Sequence, residues 1–396
     1  MQLPTHPATH LTYCLNVHPG ETLAEQMAAI REHAVPIREL VAPGVRFGLG
    51  LRLAGQAALE LESAAKRQEL QALLQAHNLY AFTINGFPYG AFHGSVVKQD
   101  VYRPDWREPV RRDYTCRLAR ILAAILPDGM TGSISTVPGS YKAWIQSTDD
   151  RDAMVGQLAA TAFELARLRD ETGREIHLGL EPEPDCFLET TAETIAFFQH
   201  HLVPQGARRL VAQYGGTFAT AEELLRRHIG VCFDTCHLAL QYENLGESLR
   251  QLAASGTRIS KIQLSAAIRT CWQPGAAEEL QRFCDPVYLH QVKACVVGRP
   301  VSRGDLSEAL HSPAACEGEE WRVHFHVPLY FVQDGVIGST ADQLTPAFFQ
   351  AVSDLQVEHL EIETYTFGVL PEPLRRRGVD RSMADEYRWV LAACRT

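Results

Sequence analysis

Eight short apolar runs, each closing on polar or titratable residues, constrain this chain more than any other feature. They are residues 10–17, 45–51, 79–84, 132–136, 176–181, 230–234, 259–264 and 359–363. Helical patterns separate most of them, at about 22–40, 56–77, 110–126, 150–172, 190–203, 219–228, 246–254 and 382–394. Strand-length runs alternating with helices imply parallel strands joined by helical crossovers. Eight such units predict an α/β fold, a (β/α)8 or TIM barrel. An open doubly wound sheet is the alternative. That fold normally carries a glycine-rich phosphate turn after an early strand, and the sequence has no G-x-G-x-x-G.

The interval 266–340 is too long for one barrel unit. Within it, residues 288–295 and 321–330 read as extra strands. We expect an insertion after strand seven that lies over the barrel mouth, inside a single domain of residues 1–396. The irregular stretch 91–109, with His93, Lys98, Tyr102, Arg103 and Trp106, reads as an extended loop over a strand end.

Composition narrows the function classes. Hydrophobic residues at 46% and charged residues at 21% are those of a soluble globular protein. No apolar run reaches bilayer-spanning length. The start, Met1 to His6, lacks a basic and an apolar signal region, so the cytoplasm is the expected location. A net charge of −10 argues against a nucleic-acid partner. Ten cysteines without C-x-x-C spacing read as reduced thiols.

The chemistry gathers at the C-terminal strand ends, the face where such barrels carry active sites. Strand five offers Glu181 and Glu183. Strand six ends in Asp234-Thr235-Cys236-His237, a carboxylate and an imidazole at i and i+3. Strand seven offers Gln263, strand eight Glu361 and Glu363. The insertion adds His290, His324 and His326. Carboxylates crowded at one mouth repel, and a divalent cation is the simplest remedy. The expected ligands are Glu181, Asp234, Gln263, Glu363 and His326, with Mn, Mg or Zn as the ion. Glu181 and Glu363 are candidates to move a proton, and His237 to orient substrate or bind a second ion. Asn85, Lys142, Glu183, His290 and His324 are candidate substrate contacts. Plainer roles compete. Glu361 and Glu363 share a strand face, so one can lie deeper in an ion pair. Glu183, between prolines, can face solvent. His324 and His326 can be polar residues of a half-exposed hairpin.

Leu180-Glu181-Pro182, Asp234-Thr235-Cys236-His237 and Ile362-Glu363-Thr364-Tyr365 resemble the strand-end motifs of the xylose-isomerase-like sugar isomerase/epimerase superfamily. Gln263 stands where that group usually has histidine. More narrowly, Leu11-Thr12-Tyr13-Cys14, His18-Pro19-Gly20-Glu21, Asn85-Gly86-Phe87-Pro88-Tyr89 and His324-Phe325-His326-Val327-Pro328 resemble the EboE family of metabolite traffic proteins, nearly end to end. The strand-end residues and the superfamily resemblance imply a metal-dependent isomerase or epimerase acting on a polyol, cyclitol or sugar-like metabolite. The EboE resemblance supplies no defined reaction; it implies an ebo-type gene cluster with a membrane-bound prenyltransferase and a sugar-phosphate cyclase-like neighbour, linked to moving a small metabolite toward the envelope. Two other readings stay open: a metal-dependent phosphoester hydrolase of the endonuclease-IV-like type, and a non-catalytic metabolite-binding or scaffold protein.

Overall fold

The computed structural model describes residues 1–3, 6, 8–90, 92, 98–311 and 317–395. His93, expected in the loop over a strand end, lies outside the described residues. The first seven strands are β1 (His10–Tyr13), β2 (Phe47–Arg52), β3 (Leu79–Asn85), β4 (Gly132–Thr136), β5 (Ile176–Leu180), β6 (Ile229–Asp234) and β7 (Arg258–Leu264). Six more follow: β8 (Ala266–Cys271), β9 (Gln291–Val296), β10 (Arg299–Asp305), β11 (Glu320–Val327), β12 (Gln333–Asp334) and β13 (Ile337–Ser339). The last is β14 (His359–Ile362).

Strands β1 to β7 and β14 form one parallel sheet in the order β1-β14-β7-β6-β5-β4-β3-β2. A parallel bridge between Cys14 and Gly50 joins its two edges and closes the barrel. Gly50 is required there, because a Cβ would sit 2.0 Å from Glu361 Oε1 and 3.0 Å from the Tyr13 carbonyl. Helices cover the outside and side chains fill the inside, so every residue of β2 to β6 is buried. Glu361 takes the deeper, structural role. It pairs with Lys261 in the barrel interior, both fully buried.

The first strand is shorter than the run 10–17 implies. After Tyr13 the chain turns into one 3-10 turn, Leu15–Val17, which buries Asn16. Two helices carry proline in their interior, where it removes a hydrogen bond and crowds the preceding turn. Both absorb it in a wider π-turn: Ile30–Ala34 ahead of Pro36, and Phe198–Leu202 ahead of Pro204. The second helix therefore does not stop near residue 203 but runs on to Tyr214.

The insertion is an antiparallel six-stranded sheet, ordered β10-β9-β11-β8-β13-β12. Its buried residues, such as Val292, Trp321, Val323 and Phe325, join those of the barrel in one continuous apolar core. Among the described residues, no helix is long and apolar enough to cross a membrane.

Candidate functional site

The strand ends place the site. Glu181 follows β5, Asp234 ends β6 and Glu363 follows β14. Each presents a carboxylate oxygen, and the three lie within 4.8 Å of one another, all buried. Asp234 caps the helix Thr235–Leu240. Its Oδ1 accepts from the backbone of Cys236 at 2.7 Å and His237 at 3.1 Å, and from the Ser265 hydroxyl at 2.7 Å. That leaves Oδ2 buried with no partner, and Glu181 Oε2 and Glu183 Oε2 are in the same condition. Glu363 is held by two amides, Asn16 Nδ2 at 2.7 Å and Asn85 Nδ2 at 2.8 Å, both on Oε1.

Burial first, then the neighbouring carboxylates, push Glu181 and Glu363 well above the usual carboxylate range. Burial also lifts Glu183 to about 8, against a hydrogen bond from Tyr102. Burial works in the same direction on Asp234. There His237, His326 and the donors on Oδ1 prevail and hold it below its ordinary value. Buried carboxylates with unpartnered oxygens are strongly unfavourable without a compensating charge. The donor set therefore fits a divalent cation: Glu181, Asp234 and Glu363 supply hard oxygen ligands on three neighbouring walls.

Three histidines lie beside these carboxylates. His237 follows β6 by one helical turn, and His324 and His326 sit two apart on β11, on one strand face. His324 Nε2 is 3.0 Å from His237 Nε2 and 3.3 Å from His326 Nε2. His326 and His237 each bring a ligand atom within 4.8 Å of Asp234. Neither histidine of β11 is half exposed, so the hairpin reading fails: the insertion buries both against the barrel mouth.

A cleft of about 490 Å³ opens over the cluster. Its floor includes Glu181, Glu183, Glu363, Asn85 and His324, so Glu183 faces the cleft and not bulk solvent. Phe87, Phe92, Tyr288 and Tyr365 give it aromatic walls.

Three expected contacts are corrected. Lys142 is not in the cleft lining. Its ammonium is held outside by Glu189 at 2.7 Å and Glu193 at 3.0 Å, at the start of the helix Thr191–Phe197 that follows β5. His290 touches no cleft surface. Both its ring nitrogens are taken inside the insertion, one by the His324 carbonyl at 2.8 Å and the other by Asp285. Gln263 lies in register with Asp234 and Glu361, but its Oε1 accepts the Cys232 thiol at 2.8 Å, so the oxygen expected to ligate is turned to β6.

Several residues of the site escaped the sequence reading. Asn16 was hidden in an apolar run, where a lone amide was the available signal. Gln291 and Tyr102 come from segments whose direction only the packed insertion sets. Tyr102 donates to Glu183 at 2.8 Å, and Gln291 Nε2 donates to Tyr102 at 3.0 Å.

No family model matches the sequence, and no curated protein does. Solved structures of similar outline exist. A probable 3-DHS dehydratase, AsbF, of Bacillus anthracis is 14% identical, with TM-score 0.46 over 96% of this chain and 98% of that one. An IOLI protein with a bound zinc atom is 11% identical, with TM-score 0.47 over 98% of each chain. A D-tagatose 3-epimerase-like protein is 11% identical, with TM-score 0.47 over 97% of this chain and 98% of that one. Likenesses this distant carry no functional argument. The barrel rests on its own strand order, and the chemistry on its own residues.

Proposed function

We propose that this chain is a divalent-metal-dependent isomerase or epimerase of an uncharged polyol, cyclitol or sugar-like metabolite. One observation carries the reading: Glu181, Asp234 and Glu363 converge, buried and partly unpartnered, beneath an aromatic-walled cleft. Glu181, Asp234 and Glu363 would hold the cation, which when bound polarises a carbonyl and fixes an adjacent hydroxyl. Glu181 and Glu363 rise from different walls of the barrel. One takes the proton from the carbon beside the carbonyl, and the other returns a proton to that carbon or its neighbour. Asn16 and Asn85 fix the Glu363 carboxylate for that transfer. The aromatic walls suit the C–H face of a ring. The cleft lining has one cationic side chain among the described residues, Lys98, and Asp305 already holds it at 2.9 Å. That favours an uncharged substrate over a phosphorylated one.

The test is solvent exchange. Protein loaded with Mn²⁺ or Zn²⁺ is incubated with a panel of ketoses and keto-cyclitols in D₂O and followed by NMR. Deuterium entering the carbon beside the carbonyl, abolished in Glu181→Gln and Glu363→Gln, supports the reading. Binding without exchange across the panel would instead make the protein a metabolite-binding one. The histidine trio favours a second reading, a phosphoester hydrolase, and phosphate release from model esters would select it. The EboE resemblance adds a role in processing or exporting the metabolite beside a membrane-bound prenyltransferase. Loss of the metabolite's lipid-linked product on deleting the gene would test that role.

A further inference from the structure

The end of the barrel away from the carboxylates holds a buried imidazole that the protein leaves unbonded. His177 is the second residue of β5, near the N-terminal face, and it is 1% exposed. Among the described residues neither of its ring nitrogens has a hydrogen-bond partner. Nearby polar groups are committed elsewhere. His359 Nδ1 meets the Ser133 hydroxyl at 2.8 Å, and Ser133 also bonds Thr83 at 2.8 Å. The Ser260 hydroxyl donates to the Leu178 carbonyl at 3.0 Å. His359 offers His177 only its ring face, with centroids 5.7 Å apart. Burial, then the charge of Arg258, hold the His177 ring neutral. A neutral imidazole presents one donor and one acceptor, and leaving both unmade in a buried place is unfavourable.

His177 lines a cleft of about 900 Å³ beside the starts of β5, β7 and β14. Two arginines stand in the same lining. Arg226 Nη1 lies 3.4 Å from the Gly256 carbonyl and 3.1 Å from where a Cβ at 256 would sit, so glycine there makes room for the guanidinium. Arg258 commits Nη1 to Glu175 at 2.7 Å and to the Arg227 carbonyl at 3.0 Å, and its Nε and Nη2 take no partner among the described residues. Glu175 is shared with Arg227 at 2.6 Å, so it does not cancel Arg258 alone. One acid belongs to the lining, Glu358, whose Oε2 accepts from Thr131. Two cations against one carboxylate favour an anion. We propose that this cleft is a second ligand site, on the face opposite the carboxylates, for a small hydroxylated anion. The arginines take its carboxylate or phosphate group, and His177 exchanges hydrogen bonds with a hydroxyl, which both donates and accepts. The site is separate from the cleft over Glu181: four residues of β5 and its end, about 13 Å, lie between His177 and that carboxylate. The buried Lys261–Glu361 pair also lies in the barrel interior.

Calorimetry on the full chain tests this without reference to turnover. The hydroxylated anions are glycerol 3-phosphate and glycerate, and inorganic phosphate and acetate are their bare counterparts. Wild-type protein is expected to bind at least one hydroxylated anion saturably and more tightly than its bare counterpart, and the tighter of the two identifies the anionic group. Arg226 is exposed, so Arg226→Gln should fold as the wild type does and bind about tenfold more weakly. His177→Leu should erase the preference for the hydroxylated anion. Glu363→Gln, at the other face, should bind as the wild type does. No saturable binding by the wild type, the result if water alone serves His177, overturns the proposal. Equal binding by wild type and Arg226→Gln overturns it even if His177→Leu fails to fold. Binding lost in Glu363→Gln but kept in Arg226→Gln places the ligand over the carboxylates and overturns it as well.

Discussion

At the scale of single residues, Asp234 separates charge from structure most cleanly. Its Oδ1 caps a helix, and its Oδ2 has no partner. Asparagine at this position keeps a capping oxygen and removes the charge. Asp234→Asn is therefore expected to bind Mn²⁺ at least about tenfold more weakly, since each lost charged ligand contact exceeds about 1.4 kcal/mol. The metal-free variant should melt lower than the metal-free wild type at neutral pH, because His237, His326 and the donors on Oδ1 stabilise a charge that asparagine lacks. Calorimetry with Mn²⁺ and thermal melts in chelator check both halves. Glu363→Gln tests the proton step. The two asparagines already donate to Oε1, so the fold is expected to hold while turnover falls by at least about 10²-fold, the usual worth of a positioned proton-transfer group.

At the scale of elements, the closing seam between β1 and β2 depends on a glycine. Gly50→Ala would drive a methyl group against Glu361 and the β1 backbone. The shift threatens the buried Lys261–Glu361 pair, whose disruption costs about 3–5 kcal/mol. A loss of at least about 3 kcal/mol in denaturant unfolding is the expected outcome, and a change under about 1 kcal/mol would mean the barrel closes differently. Helix ends matter too. The π-turns before Pro36 and Pro204 let each helix pass its proline unbroken, which a periodicity count cannot register. The helix expected over 190–203 stops short of Pro204, and the π-turn carries it on to Tyr214.

At the scale of the whole molecule, the last helix ties the site together. Glu386, on the helix Val379–Ala393, accepts from Thr364 at 2.8 Å and from the Leu329 backbone at 3.1 Å. One residue follows Glu363 and the other follows β11, so this carboxyl links the barrel mouth to the turn after β11 in the insertion. Burial pushes Glu386 up to about 8 from its ordinary 4.5. A raised value means that its stabilising contribution is complete below about pH 4.5 and lost as pH rises through about 8. Relative to Glu386→Gln, the wild type should lose on the order of 4 kcal/mol between pH 4.5 and pH 8. Parallel melts of the two proteins across that range measure the difference, and parallel curves would refute the shift. Metal acts at the same scale. An ion at a hundredfold excess over its Kd should stabilise the chain by about 2.7 kcal/mol, and a chelator should reverse it.

The sequence by itself determined the barrel and the residues at its mouth. Period, run length and strand-end polarity are local properties, and they located all eight barrel strands and the carboxylates Glu181, Asp234 and Glu363. Local pattern could not say which way a side chain outside a strand points. Lys142 and His290 were legible as polar residues near strand ends, yet one is drawn outward by Glu189 and Glu193, and the other inward by Asp285. Gln263 has the right register, but its oxygen is taken by a thiol on the neighbouring strand. Asn16, Gln291 and Tyr102 enter the site only because a turn after β1 and the packed insertion bring distant segments together. The tertiary structure decided these, since a hydrogen bond between residues 347 apart, as from Asn16 to Glu363, has no trace in local spacing.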